Sequence, residues 1–331
     1  MRVGRWVRVK RPAMYPSYLE LYSNGQLNKR AKEAESLLVS CSLCPRKCGI
    51  NRLKDNRGYC KIGNLARIYS YMPHLGEEPP ISGYRGSGTI FFSGCNMACV
   101  YCQNYKFSQL NEGKEVEVEE LSEFMLELQK LNCHNINLVT PSHILPQILK
   151  ALILAIPQGL KLPLVYNTSG YELPETIKLL DGIVDIFLPD MRYSDNEMSA
   201  RYSNAPDYPE YNQASVKQMY RQLEEAKFDE QGLIKKGLII RHLVLPNNIA
   251  GTARIMHFIA QEISAHTYIS LMSQYLPCHN ADKFPELFRR MSEQEYNQAK
   301  KIMLNSGLSN GWLQEAGGLA CLVGTNIKPI G

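Results

Sequence analysis

Three closely spaced cysteines directly after a short apolar run constrain this chain more than any other feature. They are Cys95, Cys99 and Cys102, and their C-x3-C-x2-C spacing has no fourth cysteine close by. An ordinary iron–sulfur electron carrier takes four cysteines for each cluster, so three thiolates leave one iron of a 4Fe-4S cluster without a protein ligand. An open position is what distinguishes a catalytic metal site from a structural one. The spacing predicts such a cluster, with the flat ring of Tyr101 beside the open iron.

The residues around the triplet predict an α/β architecture. The run Thr89–Phe92 is β-branched and aromatic and is bounded by glycines, which indicates a buried strand. The triplet then starts at the C-terminal end of that strand, where parallel α/β barrels carry their chemistry. Five more strands are predicted to alternate with helices, at Ile136–Val139, Leu164–Asn167, Ile183–Leu188, Leu238–Leu245 and Tyr268–Met272. This alternation is typical of a parallel sheet with helical crossovers.

A second group of cysteines precedes the predicted sheet. Cys41, Cys44, Cys48 and Cys60 lie within 20 residues and form a complete set of four thiolates. Zinc takes four cysteines and so does a second 4Fe-4S cluster, and the spacing leaves both open. Such clusters indicate metal sites rather than disulfides. The remaining cysteines are expected to be small buried residues, although Cys278 follows the sixth strand and could face the barrel mouth.

Composition excludes several classes of protein. The chain of 331 residues has a net charge of +5 and no run of 18 apolar residues, so no membrane span is expected. The basic segment 1–11 lacks the apolar core of a signal peptide, and a cytoplasmic location is the default. A nucleic-acid-binding protein would be expected to carry a basic face with aromatic residues, and the modest net charge disfavours that class.

The triplet resembles the signature of radical S-adenosylmethionine (SAM) enzymes, C-x3-C-x-aromatic-C. Further stretches resemble the branch of that superfamily named after the pyruvate formate-lyase activating enzyme. The likeness covers roughly residues 40 to 280, and the matching stretches are expected at the C-terminal ends of strands. They are Cys41–Gly49, His74–Gly83, Gly86–Asn104, Val139–His143, Val165–Tyr171, Asp185–Tyr193, Arg241–Asn247 and Ser273–Tyr275.

The resemblance implies a fold and a domain plan. The fold is a partial (β/α)6 TIM-like barrel, the radical SAM core, with a small N-terminal four-cysteine metal-binding domain. Residues 1–39 are an N-terminal arm and helix, 40–84 the four-cysteine segment, 85–280 the core barrel and 281–331 a C-terminal helical segment. Between the fourth and fifth strands an insertion carries an amphipathic helix, predicted near Tyr211–Ala226.

The resemblance also implies residues that bind SAM, in addition to Tyr101. Related enzymes hold the SAM amino group with a Gly-Gly-Glu segment, which is Thr140-Pro-Ser-His143 here; Thr140 and main-chain carbonyls are the expected substitutes. Asn167 and Ser169 resemble residues that meet the ribose or the carboxylate. Asp190 ends the fourth strand, and Arg241 is a charge inside an apolar strand that needs a partner or a ligand. The resemblance implies that Arg241 binds the SAM carboxylate, a group that arginine binds well.

The implied activity is reductive cleavage of SAM to a 5′-deoxyadenosyl radical, which abstracts hydrogen from a substrate. The expected substrate is a glycine of a partner enzyme, as for an activating enzyme. Two alternatives stay open: modification of another protein, peptide or metabolite, and a non-catalytic electron carrier, which would need a fourth ligand from Cys133 or His134. A flavodoxin or ferredoxin is the expected reductant, and oxygen sensitivity implies an anaerobic setting.

Overall fold

Six parallel strands form the centre of the part of the chain that this computed structural model describes, residues 14–314. The strands are β1 (Ala66–His74), β2 (Ser87–Phe92), β3 (Lys114–Val116), β4 (Ile136–Val139), β5 (Leu164–Thr168), β6 (Ile186–Pro189), β7 (Lys227–Phe228), β8 (Ile234–Leu243), β9 (Tyr268–Met272) and β10 (Gly311–Leu313). The helices are α1 (Tyr18–Ser23), α2 (Gln26–Ser36), α3 (Pro79–Ser82), α4 (Tyr105–Ser108), α5 (Val118–Lys130), α6 (Leu145–Ala155), α7 (Pro174–Leu179), α8 (Asn196–Ser203), α9 (Tyr208–Leu223), α10 (Thr252–Phe258) and α11 (Glu293–Asn305).

The central strands follow one another in chain order. β2, β4, β5, β6, β8 and β9 lie side by side and parallel, which confirms the predicted alternation of strands and helices. Apolar residues of α5 and α6, such as Leu121, Met125 and Leu149, pack in the main core. The α/β fold with its mostly parallel sheet is consistent with a radical SAM partial barrel. The cysteine loop follows the C-terminal end of β2, as predicted.

An antiparallel hairpin extends the sheet beside β2. Strand β1 pairs antiparallel with β2, and β3 pairs antiparallel with β1, so residues 66–74 of the predicted four-cysteine segment join the main sheet. Because β1 runs in the opposite direction, it ends at the N-terminal edge of the parallel strands. The segment after it turns inward, and Ile81 packs against Val165 and Ile186. His74–Gly83 therefore follows the C-terminal end of a strand, as expected, but because that strand is antiparallel the stretch begins at the N-terminal edge of the parallel sheet.

The insertion and the C-terminal segment pack against the barrel. The predicted amphipathic helix is present as α9, which contacts α7 and β8. The C-terminal segment contains α11, and it also adds β10 as a parallel edge strand beside β9, which the helical prediction missed. Cys321 and the basic segment 1–11 lie outside the described residues. Across residues 14–314, no helix is both long and apolar enough to cross a membrane.

Candidate cofactor site

The cysteine loop leaves β2 through a glycine turn. Gly94 has φ of +80°, and a Cβ atom built there would lie 2.5 Å from the Cys60 carbonyl oxygen. Both the backbone angle and the lack of space favour glycine. On another side of the loop, the Ala98 N–H donates to the Ser203 carbonyl at 3.0 Å. The loop is thus held between the second cysteine segment and α8.

The three thiols of the loop share one neighbourhood, and each has a hydrogen-bond partner. The Met97 N–H donates to Cys95 Sγ at 3.3 Å, the Ser203 hydroxyl donates to Cys99 Sγ at 3.0 Å, and the Ser108 hydroxyl lies 3.2 Å from Cys102 Sγ. Burial raises the pKa of Cys95 and of Cys102, and the neighbouring Cys99 thiol raises both further. A bound metal would therefore be needed to keep these sulfurs deprotonated at neutral pH, and three thiolates are the donor set that an iron–sulfur cluster uses.

A pocket of about 180 Å³ opens beside the triplet. Its wall runs from Tyr101 and Cys102 on the loop to Asp190, Arg192 and Arg241 at the C-terminal ends of β6 and β8. The predicted site residues Tyr101, Asp190 and Arg241 therefore lie together, next to a thiol of the triplet.

Arg241 is already surrounded by protein acceptors. Its Nε donates to Asp190 Oδ1 at 2.8 Å, and its Nη2 donates to Asn167 Oδ1 at 2.6 Å. Its Nη1 lies 3.4 Å from Glu77 Oε2, which comes from the inward segment after β1. Burial raises the pKa of Glu77, whereas the positive charge of Arg241 lowers it. The structure thus supplies partners for the buried charge of Arg241 from the protein itself.

Arg192 is the second cation of the pocket. It forms an ion pair with Asp190, and its Nε is buried with no hydrogen-bond partner among the described residues. Its positive charge lowers the pKa of both Cys95 and Cys102, although burial of these thiols dominates. An arginine with an N–H available beside the thiols is placed to receive an anionic group.

Comparison with known proteins identifies the family. A model of the radical SAM superfamily matches residues 89–258, just over half of the chain. An uncharacterised protein of Methanocaldococcus jannaschii is 30% identical over 293 residues, which cover 86% of this chain and 80% of that protein. The chain belongs to the radical SAM superfamily. Membership implies a 4Fe-4S cluster and the cleavage of SAM to a radical, and the donor set and the neighbouring pocket fit both groups.

Two solved structures show weaker likeness. A radical SAM methyltransferase from Sphaerobacter thermophilus is 14% identical, with a TM-score of 0.49 over 72% of this chain and 69% of that chain. Methylornithine synthase is 13% identical, with a TM-score of 0.43 over 70% and 72% of the two chains. At TM-scores below 0.5 these likenesses add nothing to the family assignment, which rests on sequence.

The other predicted SAM-binding residues of this radical SAM protein, Thr140, Asn167 and Ser169, lie outside the pocket beside the triplet. Thr140 has φ of +59°, and its N–H donates to the Asn167 carbonyl at 2.8 Å. The Asn167 side chain bonds Arg241, as described above. Ser169 is buried, and its hydroxyl has no hydrogen-bond partner among the described residues. Thr140, Asn167 and Ser169 do not line the pocket that holds Arg192, so their roles toward SAM stay predictions.

The four N-terminal cysteines also gather in one place. Burial raises the pKa of Cys44 to about 12, and the thiols of Cys60 and Cys41 raise it further. Burial also raises the pKa of Cys60, and the Cys41 and Cys48 thiols add to the rise. Gly58 lies against Cys48, since a Cβ atom added at Gly58 would be 2.9 Å from Cys48 Sγ. No three His, Cys, Asp or Glu side chains between residues 14 and 314 are placed to hold one metal ion.

The loops that carry the two cysteine groups of this radical SAM protein are in contact. Arg46, between Cys44 and Cys48, donates through Nε to the Asn96 carbonyl of the triplet loop at 2.8 Å. Its guanidinium lies 3.7 Å from the centre of the Tyr59 ring. Burial raises the pKa of Tyr59, and the Cys95 and Cys99 thiols add to the rise. These contacts place the two predicted metal sites side by side.

Two residues of the site, Glu77 and Ser203, escaped the sequence reasoning. The sequence marks Arg192, like Asp190, as a polar residue at the end of the fourth strand, and the Asp190-Met-Arg192 alternation could have shown that both charges face one side. Glu77 lies in a stretch that matches the family, and the sequence assigns it no role. Ser203 has no signal in the sequence, because a single serine at the end of a helix carries none.

Proposed function

We propose that this radical SAM enzyme removes a hydrogen atom from a glycine of a partner enzyme, as an activating enzyme does. Cys95, Cys99 and Cys102 would hold the 4Fe-4S cluster, and the Tyr101 ring would lie against the bound SAM. The placement of the triplet against a pocket of about 180 Å³ carries the proposal. Three ligands leave a position open for SAM, and the stretches that resemble the activating-enzyme branch support glycine as the target.

Arg192 is the better candidate than Arg241 for the carboxylate of SAM. The Arg241 guanidinium bonds Asp190 and Asn167 and lies near Glu77, so a further carboxylate would have to displace one of them. Arg192 keeps a buried Nε without a partner among the described residues and faces the same pocket. Asp190 and Arg241 would then hold Arg192 and the pocket wall in place.

At the four-cysteine site we propose a second 4Fe-4S cluster rather than zinc, because the neighbouring triplet already requires cluster loading. Four thiolates can hold either group. A second cluster there would supply one-electron chemistry beside the first, and a flavodoxin or ferredoxin is the proposed donor.

The alternative reaction is modification of another protein, a peptide or a metabolite. The segment after β9 packs against the cysteine loop, since the Asn280 N–H donates to the Val100 carbonyl at 2.9 Å and Cys278 Sγ donates to the Tyr101 carbonyl at 3.3 Å. A small molecule or a flexible peptide would reach the loop past this segment more easily than a folded surface would.

The electron-carrier alternative finds less support. His134, one of the two expected fourth ligands, accepts from the Arg85 N–H at 3.2 Å and packs against Tyr84, on the hairpin at the other end of the barrel. Cys133 is buried in the main core, which is separate from the cluster of residues around the triplet. Neither residue is placed to complete the triplet.

The first experiment is anaerobic reconstitution with iron and sulfide, then dithionite reduction with SAM and an assay for 5′-deoxyadenosine. We expect product from the wild type and from the control Cys133→Ala, and none from Cys99→Ala. About eight irons per chain would support two clusters, since each full cubane holds four. A reducible cluster that yields no deoxyadenosine would leave an electron carrier.

A second experiment tests the glycine. Purified pyruvate formate-lyase, incubated anaerobically with the active protein and SAM, should develop the EPR doublet of a glycyl radical. Deoxyadenosine formation without that doublet would remove this lyase as the partner and favour the alternative substrates.

A further inference from the structure

A chain of buried hydroxyl groups joins the pocket to the sulfur of Cys99. The hydroxyl oxygens of Tyr101 and Tyr193 are 2.6 Å apart, Tyr193 Oη lies 2.8 Å from Ser203 Oγ, and Ser203 donates to Cys99 Sγ at 3.0 Å. At the other end, Tyr101 and Arg192 line the same pocket; burial raises the pKa of the Tyr101 hydroxyl, whereas the positive charge of Arg192 lowers it. Tyr101, Tyr193 and Ser203 are 3%, 1% and 0% exposed, so bulk water does not compete for these bonds.

The sulfur end of this chain of hydroxyls sets its direction. A thiolate only accepts hydrogen bonds, so Ser203 gives its single hydroxyl proton to Cys99 and must accept from Tyr193. Tyr193 in turn accepts from Tyr101. Hydrogen bonds aligned in one direction polarise one another, most strongly where water is excluded. The charge of Arg192 thus strengthens the hydrogen bond that Ser203 gives to Cys99.

The backbone holds Ser203 in this position. Ser203 ends α8, and its carbonyl accepts the Ala98 N–H of the cysteine loop at 3.0 Å. Hydrogen bonds to sulfur are one of the factors that set the potential of an iron–sulfur cluster. Reduction adds one negative charge to the cluster and its thiolates, and a hydrogen-bond donor at Cys99 stabilises that added charge.

We propose that Ser203 and Tyr193 are positioning residues that raise the reduction potential of the cluster held by Cys99, and that Arg192 polarises them from the pocket. The proposal rests on the proposed function, because it requires Cys99 to be a cluster ligand. It assigns a role to two residues outside the cysteine motif, and it links the charge of the pocket wall to the ease of reduction.

The test is an EPR-monitored redox titration of the reconstituted full-length protein, in which the signal of this cluster is identified by its change on addition of SAM. Wild type is compared with Ser203→Ala, Tyr193→Phe and Tyr202→Phe, and iron and sulfide are counted in every sample. Tyr202→Phe is the matched control, because Tyr202 adjoins Ser203 but its hydroxyl donates to Glu286 at 2.5 Å, outside the chain of hydroxyls.

We expect Ser203→Ala to lower the potential by up to about 59 mV, a tenfold change in a one-electron equilibrium constant. Tyr193→Phe should lower it by less, because Ser203 still donates but is no longer polarised, and Tyr202→Phe should leave it unchanged. These measurements need no turnover, so they report the reduction potential of the cluster separately from the activity of the enzyme.

Three results would overturn the proposal. One is an equal potential in wild type and Ser203→Ala. Another is an unchanged potential in Tyr193→Phe, and this result alone would overturn the proposal if Ser203→Ala fails to bind iron. The third is a shift in Tyr202→Phe as large as that in Tyr193→Phe, because any buried hydroxyl would then have the same effect. A wild type that binds no cluster would overturn the proposed function instead, and iron counting distinguishes that case.

Discussion

Replacing Gly94 with alanine tests how closely the cysteine loop is held against the Cys60 segment. An alanine Cβ at this position would lie 2.5 Å from the Cys60 carbonyl oxygen and 2.8 Å from Ile62 Cγ1. Neither atom is the free end of a long side chain, so the backbone of one segment must move. Alanine would also have to adopt φ of +80°, which L-residues rarely do.

The cost has two parts that a control separates. The left-handed backbone costs an alanine roughly 1–2 kcal/mol, and overpacking typically costs about 1–3 kcal/mol more. Gly232 has φ of +78°, and a Cβ added there would meet nothing within 4 Å, so Gly232→Ala carries only the first part. We expect Gly94→Ala to lose about 2–5 kcal/mol in the free energy of unfolding, and Gly232→Ala about 1–2 kcal/mol.

The assay is urea unfolding of the metal-free protein under reducing conditions, followed by circular dichroism, with iron uptake measured separately on the folded variants. Displacement of the loop should also lower the iron retained by Gly94→Ala but not by Gly232→Ala. Equal losses of stability in the two variants would refute the close contact between the cysteine loop and Cys60.

Three further outcomes are expected. Asp190→Ala leaves two partly buried guanidinium groups without their shared, buried carboxylate and should cost up to about 3–5 kcal/mol in urea unfolding, whereas Glu262→Ala, which breaks an exposed pair, should cost far less. Burial raises the pKa of Glu172 from its usual 4.5 to about 7, so its protonated form stabilises the fold; that contribution is complete below pH 4.5, declines as the pH rises and is lost above about 7. Glu172→Gln should therefore flatten the pH dependence of the free energy of unfolding of the metal-free protein between these values, and an unchanged slope would contradict the assignment. Cys44→Ala should reduce the iron content from about eight to about four while the triplet still binds iron, and a loss of zinc instead would contradict a second iron–sulfur cluster.

Local patterns in the sequence were enough to predict the parallel sheet and the position of the cysteine triplet. The six parallel strands are apolar runs of four or more residues separated by helical patterns, and their neighbours in the sheet are their neighbours in the chain. The position of the triplet after β2 followed from the glycines that bound that strand. His242 follows Arg241 in the strand and is therefore predicted to face the opposite side, against a helix; its Nε2 lies 2.9 Å from the Thr252 hydroxyl on α10. Such features depend on short stretches of chain, which periodicity and turn residues report directly.

The partners of charged residues depended on segments far apart in the chain. Arg241 was expected to need a partner, and the sequence suggested a ligand. Its observed contact with Glu77 joins residues separated by 164 positions and exists because β1 runs antiparallel and returns its C-terminal segment into the barrel. Strand direction of this kind is set by which edge of the sheet the hairpin can cover, and no local pattern encodes it.

By itself, the sequence determined the α/β class, the six central strands and three thiols suited to a cluster with an open position. Side-chain spacing and hydrophobic periodicity are short-range properties, and they survive in the chain before it folds. Only the tertiary structure decided that Arg192 rather than Arg241 keeps an N–H available, that the two cysteine groups touch, and that Ser203 reaches Cys99 over 104 positions. These depend on how whole elements pack, because hydrogen bonds between distant side chains form only after the sheet and its covering helices have set their distances.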